Sequence, residues 1–334
     1  MKPATDTSIL AAALIVSLVW LSPSRALADE LPKDTNQIER LTPEQAKKLA
    51  AEFPGVTVVE RVESMTPRIP GCLPLNGLKS LDAATARELV KFKGQSLYLN
   101  GLTVLDADTA KALAVRTVAS LYLNGLTTLD VATAQALAGF EGGGLHLNGL
   151  TRLDVATAQA LAGFEGGGLY LNGLTRLDVA TAQALAEFKG RRLYGLYLNG
   201  LTRLDAATAK ALAEFKGDLL SLNGLTRLDA DIAKTLAEFK GSWLSLKGLT
   251  TLDAATAKTL AALDKWDGDL SSIVAIESPD SVEIAATLAT RKGPLRLPNL
   301  KKISPKTLAA LIEKEDVMLP KEFQERQKLR QQGR

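Results

Sequence analysis

The stretch Leu97-Tyr98-Leu99-Asn100-Gly101-Leu102 and the 18 residues after it form a unit that recurs along most of the chain. Related hexapeptides begin at 73, 121, 145, 169, 196, 220 and 244. Their central asparagines, replaced by Lys247 in the last copy, follow one another in steps of 24 residues, with one step of 27. A fixed period of this length is typical of solenoids, in which each unit stacks on the next.

The first half of the unit predicts a short strand with one buried face. Leu97 and Leu99 alternate with Tyr98 and Asn100. We therefore expect the leucines to point into the core and the other two side chains to point outward. The Asn-Gly pair is expected to bend the chain, because glycine tolerates backbone angles that other residues avoid.

The second half predicts a helix, most clearly over residues 206–215. Asp205 precedes this segment, and aspartate is a preferred N-cap because its carboxylate accepts the free N–H groups of the first turn. Ala209 and Leu212 have the spacing of one buried helix face. Gly217 is expected to end the helix, as glycine commonly does.

The repeat resembles the leucine-rich repeat, and its A-x-A-L-A helix resembles the bacterial GALA-type and ribonuclease-inhibitor varieties. The resemblance implies a right-handed, curved α/β solenoid with parallel strands on the concave face and short helices on the convex face. It also implies protein–protein recognition through the concave face. In the family, a buried asparagine normally occupies the position of Leu102. The row containing Asn100 is therefore either exposed or part of an internal ladder, and the sequence leaves both possibilities open.

The chain begins with the pattern of a secretory signal peptide over residues 1–28. Lys2 provides the positive start, Ile9–Leu21 is apolar, and Ala26-Leu27-Ala28 is an A-x-A cleavage site. The alternative is an uncleaved membrane anchor, for which the apolar run is short. The sequence thus predicts a secreted or periplasmic protein cleaved after Ala28, with no membrane span in the mature chain.

Five segments follow from these patterns: 1–28 is the signal peptide, 29–72 a polar lead and N-terminal capping region, 73–263 the regular repeats, 264–319 degenerate repeats with a C-terminal cap, and 320–334 a polar basic tail. Residues 29–40 are expected to be a flexible lead and Val56–Val62 a strand. The extra residues around 191–195 are expected to bulge where a helix returns to a strand.

Composition excludes several classes of protein. The net charge of +3 over 334 residues argues against nucleic acid as the main partner. The only cysteine is Cys72, so an internal disulfide is impossible. We expect Cys72 to be a small buried residue; the alternative is a thiol that reacts with other chains.

Catalytic chemistry has little support in the sequence. His146 is the only histidine, with no cysteine near it in sequence to form a zinc set or a nucleophile–base pair. The glycine triplets at 142–144 and 166–168 are connectors within repeats rather than a phosphate loop. The sequence therefore predicts no enzyme, no cofactor and no metal site. Helix capping explains a row of aspartates, one per repeat, without any ion, and the alternative is a line of calcium ligands. The row consists of Asp82, Asp106, Asp130, Asp154, Asp178, Asp205, Asp229 and Asp253.

The outward strand positions are the candidate binding site. They form a stripe of rings flanked by amides: Tyr98, Tyr122, His146, Tyr170 and Tyr197, with Asn100, Asn124, Asn148, Asn172 and Asn199. Tyrosine suits binding surfaces because it combines a large rigid area with one polar group. The alternative is that tyrosine favours strands and was duplicated with the repeat. A further row could bind an acidic polymer: Arg152, Arg176, Arg203 and Arg227.

These observations give three functional hypotheses. The first is an exported, non-enzymatic scaffold that binds an envelope or extracellular protein through the stripe. The second is a module that binds carbohydrate or cell-wall glycan through the same stripe. The third is a structural spacer of the envelope, which the near-identical repeats favour.

Overall fold

The computed structural model describes residues 31–52, 71–115, 118–191 and 193–324. The predicted signal peptide, the strand at 56–62 and most of the basic tail lie outside these ranges and stay predictions.

One parallel sheet runs through the repeat array, with its strands in sequence order. Neighbouring strands pair in register, so that Leu73, Leu97 and Leu121 lie side by side. The strands of this sheet are β1 (Cys72–Pro74), β2 (Ser96–Tyr98), β3 (Ser120–Tyr122), β4 (Gly144–His146), β5 (Gly168–Tyr170), β6 (Gly195–Tyr197), β7 (Leu219–Ser221) and β8 (Trp243–Ser245). The in-register stacking confirms the predicted α/β solenoid.

Each strand of the array is followed by a helix, and consecutive helices pack on one another. The helices are α1 (Pro43–Glu52), α2 (Ala83–Leu89), α3 (Ala107–Leu113), α4 (Val131–Ala138), α5 (Val155–Ala162), α6 (Val179–Ala186), α7 (Ala206–Ala213), α8 (Ala230–Ala237), α9 (Ala254–Ala262), α10 (Ser281–Ala289) and α11 (Pro305–Leu311). After β8 the strands shorten to two residues: β9 (Ala275–Ile276), β10 (Leu295–Arg296), β11 (Lys302–Ile303) and β12 (Val317–Met318).

The core is built from the residues that the repeat pattern points inward. Leu97, Leu99 and Leu102 are fully buried, as are their counterparts in the other coils. A row of phenylalanines lies behind them, with ring centroids 6.0–6.3 Å apart from Phe140 to Phe239. The predicted end of α7 at Phe215 is wrong. The helix ends at Ala213, and Phe215 packs in the core after it.

The glycines of the repeat are needed for close approach rather than for unusual backbone angles. Among the described glycines, only Gly71, Gly190, Gly268 and Gly293 have positive φ. A Cβ on Gly149 would lie 2.2 Å from the backbone oxygen of Asn124 in the preceding coil. The predicted reason for the Asn-Gly pair is therefore wrong.

Gly217 also has a different role from the predicted one. It lies after Phe215 and beyond the end of α7, so it does not end that helix. A Cβ on Gly217 would lie 2.3 Å from Cζ of Phe215. Glycine at this position leaves room for the core ring.

The aspartate row caps the helices. In seven coils the carboxylate accepts the N–H of a threonine three residues later, and this contact lowers the pKa of the aspartates from 82 to 205. Asp229 precedes α8 without a side-chain cap bond, and Ile232 stands where the other coils have the threonine. Capping thus accounts for all but one of the eight aspartates.

This difference gives a matched pair of variants. Asp154→Ala is expected to lower the free energy of unfolding by about 1 kcal/mol, because the N–H of Thr157 loses its acceptor. Asp229→Ala removes no such bond and should change stability by less than about 0.5 kcal/mol. Urea unfolding followed by circular dichroism measures both, and equal losses would contradict the capping role.

The N-terminal end of the array is closed by the segment expected to be flexible. Residues Thr35–Gln37 form a 3-10 helix, and Thr35 and Ile38 are buried. At the start of α1, Thr42 and Gln45 form a reciprocal capping box. The backbone N–H of each residue donates to the side chain of the other, at 3.0–3.3 Å. The flexible-lead prediction is thus wrong over residues 32–40.

The regular pattern ends at Trp266, which is buried. The guanidinium of Arg291 lies over its ring, 5.0 Å from the ring centroid. The guanidinium also donates to the backbone oxygen of Trp266. Residues Leu270, Ile273 and Ile276 continue the core beyond it.

Candidate functional site

The five predicted rings occupy equivalent positions on neighbouring strands of the sheet. The register pairs Tyr98 with Tyr122, Tyr122 with His146, and so on to Tyr197. All five side chains are half-buried and lie on the face of the sheet opposite the core leucines. We refer to Tyr98, Tyr122, His146, Tyr170 and Tyr197 as the ring row.

The ring row is one continuous stack. Consecutive ring centroids are 4.1, 3.9, 3.9 and 4.1 Å apart, and consecutive planes are tilted by 9–12°. Each inner ring therefore has both faces covered by its neighbours. The ring edges and the tyrosine hydroxyls are the parts that a ligand could contact.

The spacing of the rings also shows that the distance between coils differs across the solenoid. Rings lie about 4 Å apart on the sheet face, whereas the phenylalanine rings of the core lie 6.0–6.3 Å apart. The coils are thus closer together at the ring row than at the phenylalanine row. This is the geometry of a solenoid that curves toward its sheet.

Glycines beneath the ring row allow the rings to lie close to the strands. A Cβ on Gly168 would be 2.9 Å from Cε2 of Tyr170 and 3.1 Å from Cε2 of Tyr197. Gly144 is similarly close to His146 and Tyr170. Sequence reasoning treated these glycines as connectors and missed their contact with the rings.

The asparagines beside the ring row form an internal ladder, which settles the alternative that the sequence left open. The backbone N–H of each asparagine donates to Oδ1 of the asparagine one coil earlier, at 2.8–3.3 Å, from Asn36 to Lys247. The carbonyl groups of Asn100, Asn124, Asn148, Asn172 and Asn199 are therefore used within the fold. Nδ2 of Asn100 also donates within the ladder, to Oδ1 of Asn76 at 2.7 Å, so the Nδ2 groups of the other four asparagines are the part that a ligand could contact.

His146 occupies the centre of the ring row. Burial between Tyr122 and Tyr170 lowers its pKa to about 4, so the imidazole is neutral at pH 7. Burial and a hydrogen bond with Tyr197 raise the pKa of Tyr170 above its ordinary value. Among the described residues, no three His, Cys, Asp or Glu side chains are grouped closely enough to hold a metal ion.

The lowered pKa gives a pH-dependent prediction for the His146→Tyr variant. The unfolded chain binds a proton at His146 near pH 6.5, whereas the folded chain does so only near pH 4. The protein should therefore lose stability as pH falls through this window. A tyrosine at this position would not titrate there, so the variant should gain about 1 kcal/mol relative to the parent between pH 7 and pH 5, allowing for solvent screening. Urea unfolding at both pH values measures the difference, and a difference independent of pH would contradict the neutral imidazole.

Three residues next to the ring row, Cys72, Ser221 and Ser245, have a burial or a contact that the sequence did not predict. Cys72 is half-exposed in the strand row that contains Ser96, so the expectation of a buried cysteine is wrong. Ser221 and Ser245 continue the ring row as buried residues, and their hydroxyls donate to Oδ1 of the ladder asparagines Asn199 and Asn223 at 2.7 and 3.0 Å. The ring row ends at Tyr197, since the next two strands carry these serines in place of a ring.

The arginine row lies on the exposed surface between the strands and the helices. Arg152, Arg176, Arg203 and Arg227 take part in none of the ion pairs found among the described residues. Two residues after the first three of these arginines, Asp154, Asp178 and Asp205 direct their carboxylates at the helix N-termini, whereas Asp229, after Arg227, makes no side-chain cap bond. Within the described ranges, no helix has the length and apolar character needed to cross a bilayer.

No protein-family model matches the sequence, and no curated protein matches it significantly. Among solved structures, an LRR protein of Leptospira interrogans has 19% identity and a TM-score of 0.37, covering 73% of this chain and 67% of that one. The TLR13–ssRNA13 complex matches with 17% identity and a TM-score of 0.41, covering 72% of this chain and 34% of that one. The Toll–Spatzle complex of Drosophila matches with 11% identity and a TM-score of 0.39, covering 69% and 31%.

This chain thus spans about a third of the length of the latter two matched chains. The fold assignment rests on the chain's own geometry: in-register parallel strands, a helix after each strand, buried leucines and an asparagine ladder. Together these features define an α/β repeat solenoid with leucines at the buried positions of each coil.

Proposed function

We propose that the protein is an exported, non-enzymatic scaffold that binds an envelope or extracellular protein through the sheet face of its solenoid. The ring row is the observation that carries this proposal. Its five rings are fixed by stacking and by the strands beneath them, so little side-chain freedom is lost when a partner binds.

The ring row suits a protein partner better than a glycan. Sugars pack against the flat faces of aromatic rings, and in this row the faces of the three inner rings are covered by neighbouring rings. The accessible groups are ring edges, hydroxyls and the Nδ2 atoms of Asn124, Asn148, Asn172 and Asn199. Such mixed apolar and polar edges are typical of protein-binding surfaces.

Export is proposed from residues 1–28 alone. Their positive start, apolar run and A-x-A site at Ala26-Leu27-Ala28 have the order of a secretory signal. A mature chain that begins at Asp29 would keep the whole described array. Its partner would then be a protein of the envelope or of the extracellular space.

The double variant Tyr122→Ala, Tyr170→Ala tests the ring row. It should weaken partner binding about tenfold or more, because two central anchors of the surface are removed. The array should stay folded, since exposed ring edges contribute less to the core than the buried leucines do. Tyr122→Phe, Tyr170→Phe is the matched control, because it keeps the stack and removes only two hydroxyls. Binding by surface plasmon resonance and circular dichroism measure the two properties, and unchanged binding of the alanine variant would contradict the assignment.

A further inference from the structure

The step of 27 residues places an apolar side chain in an unusual position. Leu193 is the only non-glycine residue with positive φ among the described residues, at +73°, and its side chain is 73% exposed. A left-handed backbone is unfavourable for leucine, and an exposed leucine forgoes burial. Neither feature stabilises the array, and contact of Leu193 with a partner would account for both.

Hydrogen bonds constrain Arg191, Leu193 and Tyr194. The N–H of Leu193 donates to Oδ2 of Asp218 at 2.5 Å, and the N–H of Tyr194 donates to the backbone oxygen of Arg191 at 3.2 Å. The N–H and Nε of Arg191 donate to backbone oxygens of Gly166 and Glu165 at 2.8 and 3.2 Å. Within the bulge predicted from the sequence, these bonds constrain Arg191, Leu193 and Tyr194 and leave the side chain of Leu193 exposed.

Asp218 connects this loop to a second exposed apolar residue. Its other carboxylate oxygen accepts the hydroxyl of Ser242 at 3.3 Å, and its backbone oxygen accepts the N–H of Trp243 at 2.7 Å. Trp243 is 56% exposed, and Leu219 lies beside it in register on β7. We refer to Leu193, Leu219 and Trp243 as the edge patch; the ring of Tyr194 lies against Gly143 of an earlier coil and is not part of it.

The charges around the edge patch are mainly basic. Lys189, Arg191 and Lys216 are exposed and take part in none of the ion pairs of the described residues. The central acid, Asp218, is already used by Leu193 and Ser242. Lys216 also helps Lys240 to lower the pKa of the Glu214 carboxyl, so Lys189 and Arg191 are the cations left for an incoming acidic group.

We propose that the edge patch binds a polypeptide segment that carries an apolar side chain between acidic residues. The apolar side chain packs against Leu193 and Trp243, and the acidic residues lie near Lys189 and Arg191. Tryptophan, tyrosine and arginine are the residues most enriched at the energetic centres of protein interfaces. This inference rests on the proposed function in that the partner is a protein, but it names a surface separate from the ring row.

A peptide selection tests the edge patch while the natural partner is still unidentified. The full-length chain is immobilised and panned with a phage-displayed library of random 12-residue peptides. Enriched peptides should carry Leu, Phe or Trp flanked by Asp or Glu. Their affinity should fall about tenfold or more for Trp243→Ala.

Leu193→Gly separates binding from folding. Glycine adopts a positive φ without strain, so the melting temperature should stay the same or rise while peptide affinity falls about tenfold. Val104→Gly is the matched control, because Val104 is 79% exposed at another edge of the array and its loss should leave peptide affinity unchanged.

Three outcomes would overturn the inference: no enriched peptides, a basic consensus, or peptide affinity that both Leu193→Gly and Trp243→Ala leave unchanged. The variants of Tyr122 and Tyr170 are measured with the same peptides. Loss of affinity in those variants alone would overturn the edge patch and leave the ring row supported. Loss in the edge-patch variants alone would support the edge patch as a surface that works independently of the ring row.

Discussion

The Gly173→Ala variant is expected to lose about 3 kcal/mol of folding free energy. A Cβ at this position would lie 2.2 Å from the backbone oxygen of Asn148 and 2.6 Å from that of Leu150. Both atoms belong to the preceding coil, so the coils must move apart to accept a single methyl group. Overpacking of this kind typically costs about 1–3 kcal/mol, and backbone atoms yield less than side chains do.

Gly139→Ala is the matched control for this variant. Gly139 follows α4 with an ordinary helical backbone, and its added Cβ would be 3.3 Å from the nearest atom, the backbone oxygen of Ala136. We expect this variant to be neutral or more stable by up to about 1 kcal/mol. Urea unfolding followed by circular dichroism compares the two, and a loss below about 0.5 kcal/mol for Gly173→Ala would contradict the close approach of the coils.

The Leu171→Ala variant is expected to destabilise the protein by about 2–5 kcal/mol. Leu171 has no exposed surface, and its backbone N–H pairs with the next coil at 2.9 Å, so the truncated side chain leaves a cavity between stacked coils. Leu193→Ala is the control, because that leucine is 73% exposed and its truncation should change stability by less than about 0.5 kcal/mol. Similar losses for the two leucines in the same urea experiment would contradict the inward assignment of Leu171.

The sequence was sufficient to predict the core because the buried positions follow directly from the period. Alternation at Leu97 and Leu99, the helical spacing of Ala209 and Leu212, and the aspartate caps are local signals, and each appears in the structure. The step of 24 residues then dictates that equivalent residues stack.

Most features of the candidate site that the sequence did not predict depend on contacts between coils. Gly149 is required by a carbonyl of the preceding coil, and Asn148 is a ladder residue because Asn124 lies one coil below it. The distance between stacked rings and the contact of Gly168 with Tyr197 likewise appear only once the coils are assembled. Leu193 could be placed in a bulge from the changed step, but its exposure could not.

The two proposed surfaces differ in how they relate to the repeat. The ring row uses positions that every coil shares, so its length follows from the number of coils that carry a ring. The edge patch uses the one change of step in the array and belongs to a single place on the solenoid. A partner that contacts both would bind in only one register along an otherwise repetitive surface.

Co-sedimentation with envelope fractions of the host tests the central claim, protein recognition by the sheet face, most directly. The chain from Asp29 is mixed with an untreated fraction and with one digested by protease, the protease then being inactivated. We expect the chain to sediment with the untreated fraction only, and the Tyr122→Ala, Tyr170→Ala variant to stay in solution. Sedimentation that survives digestion, or that the variant retains, would contradict the claim.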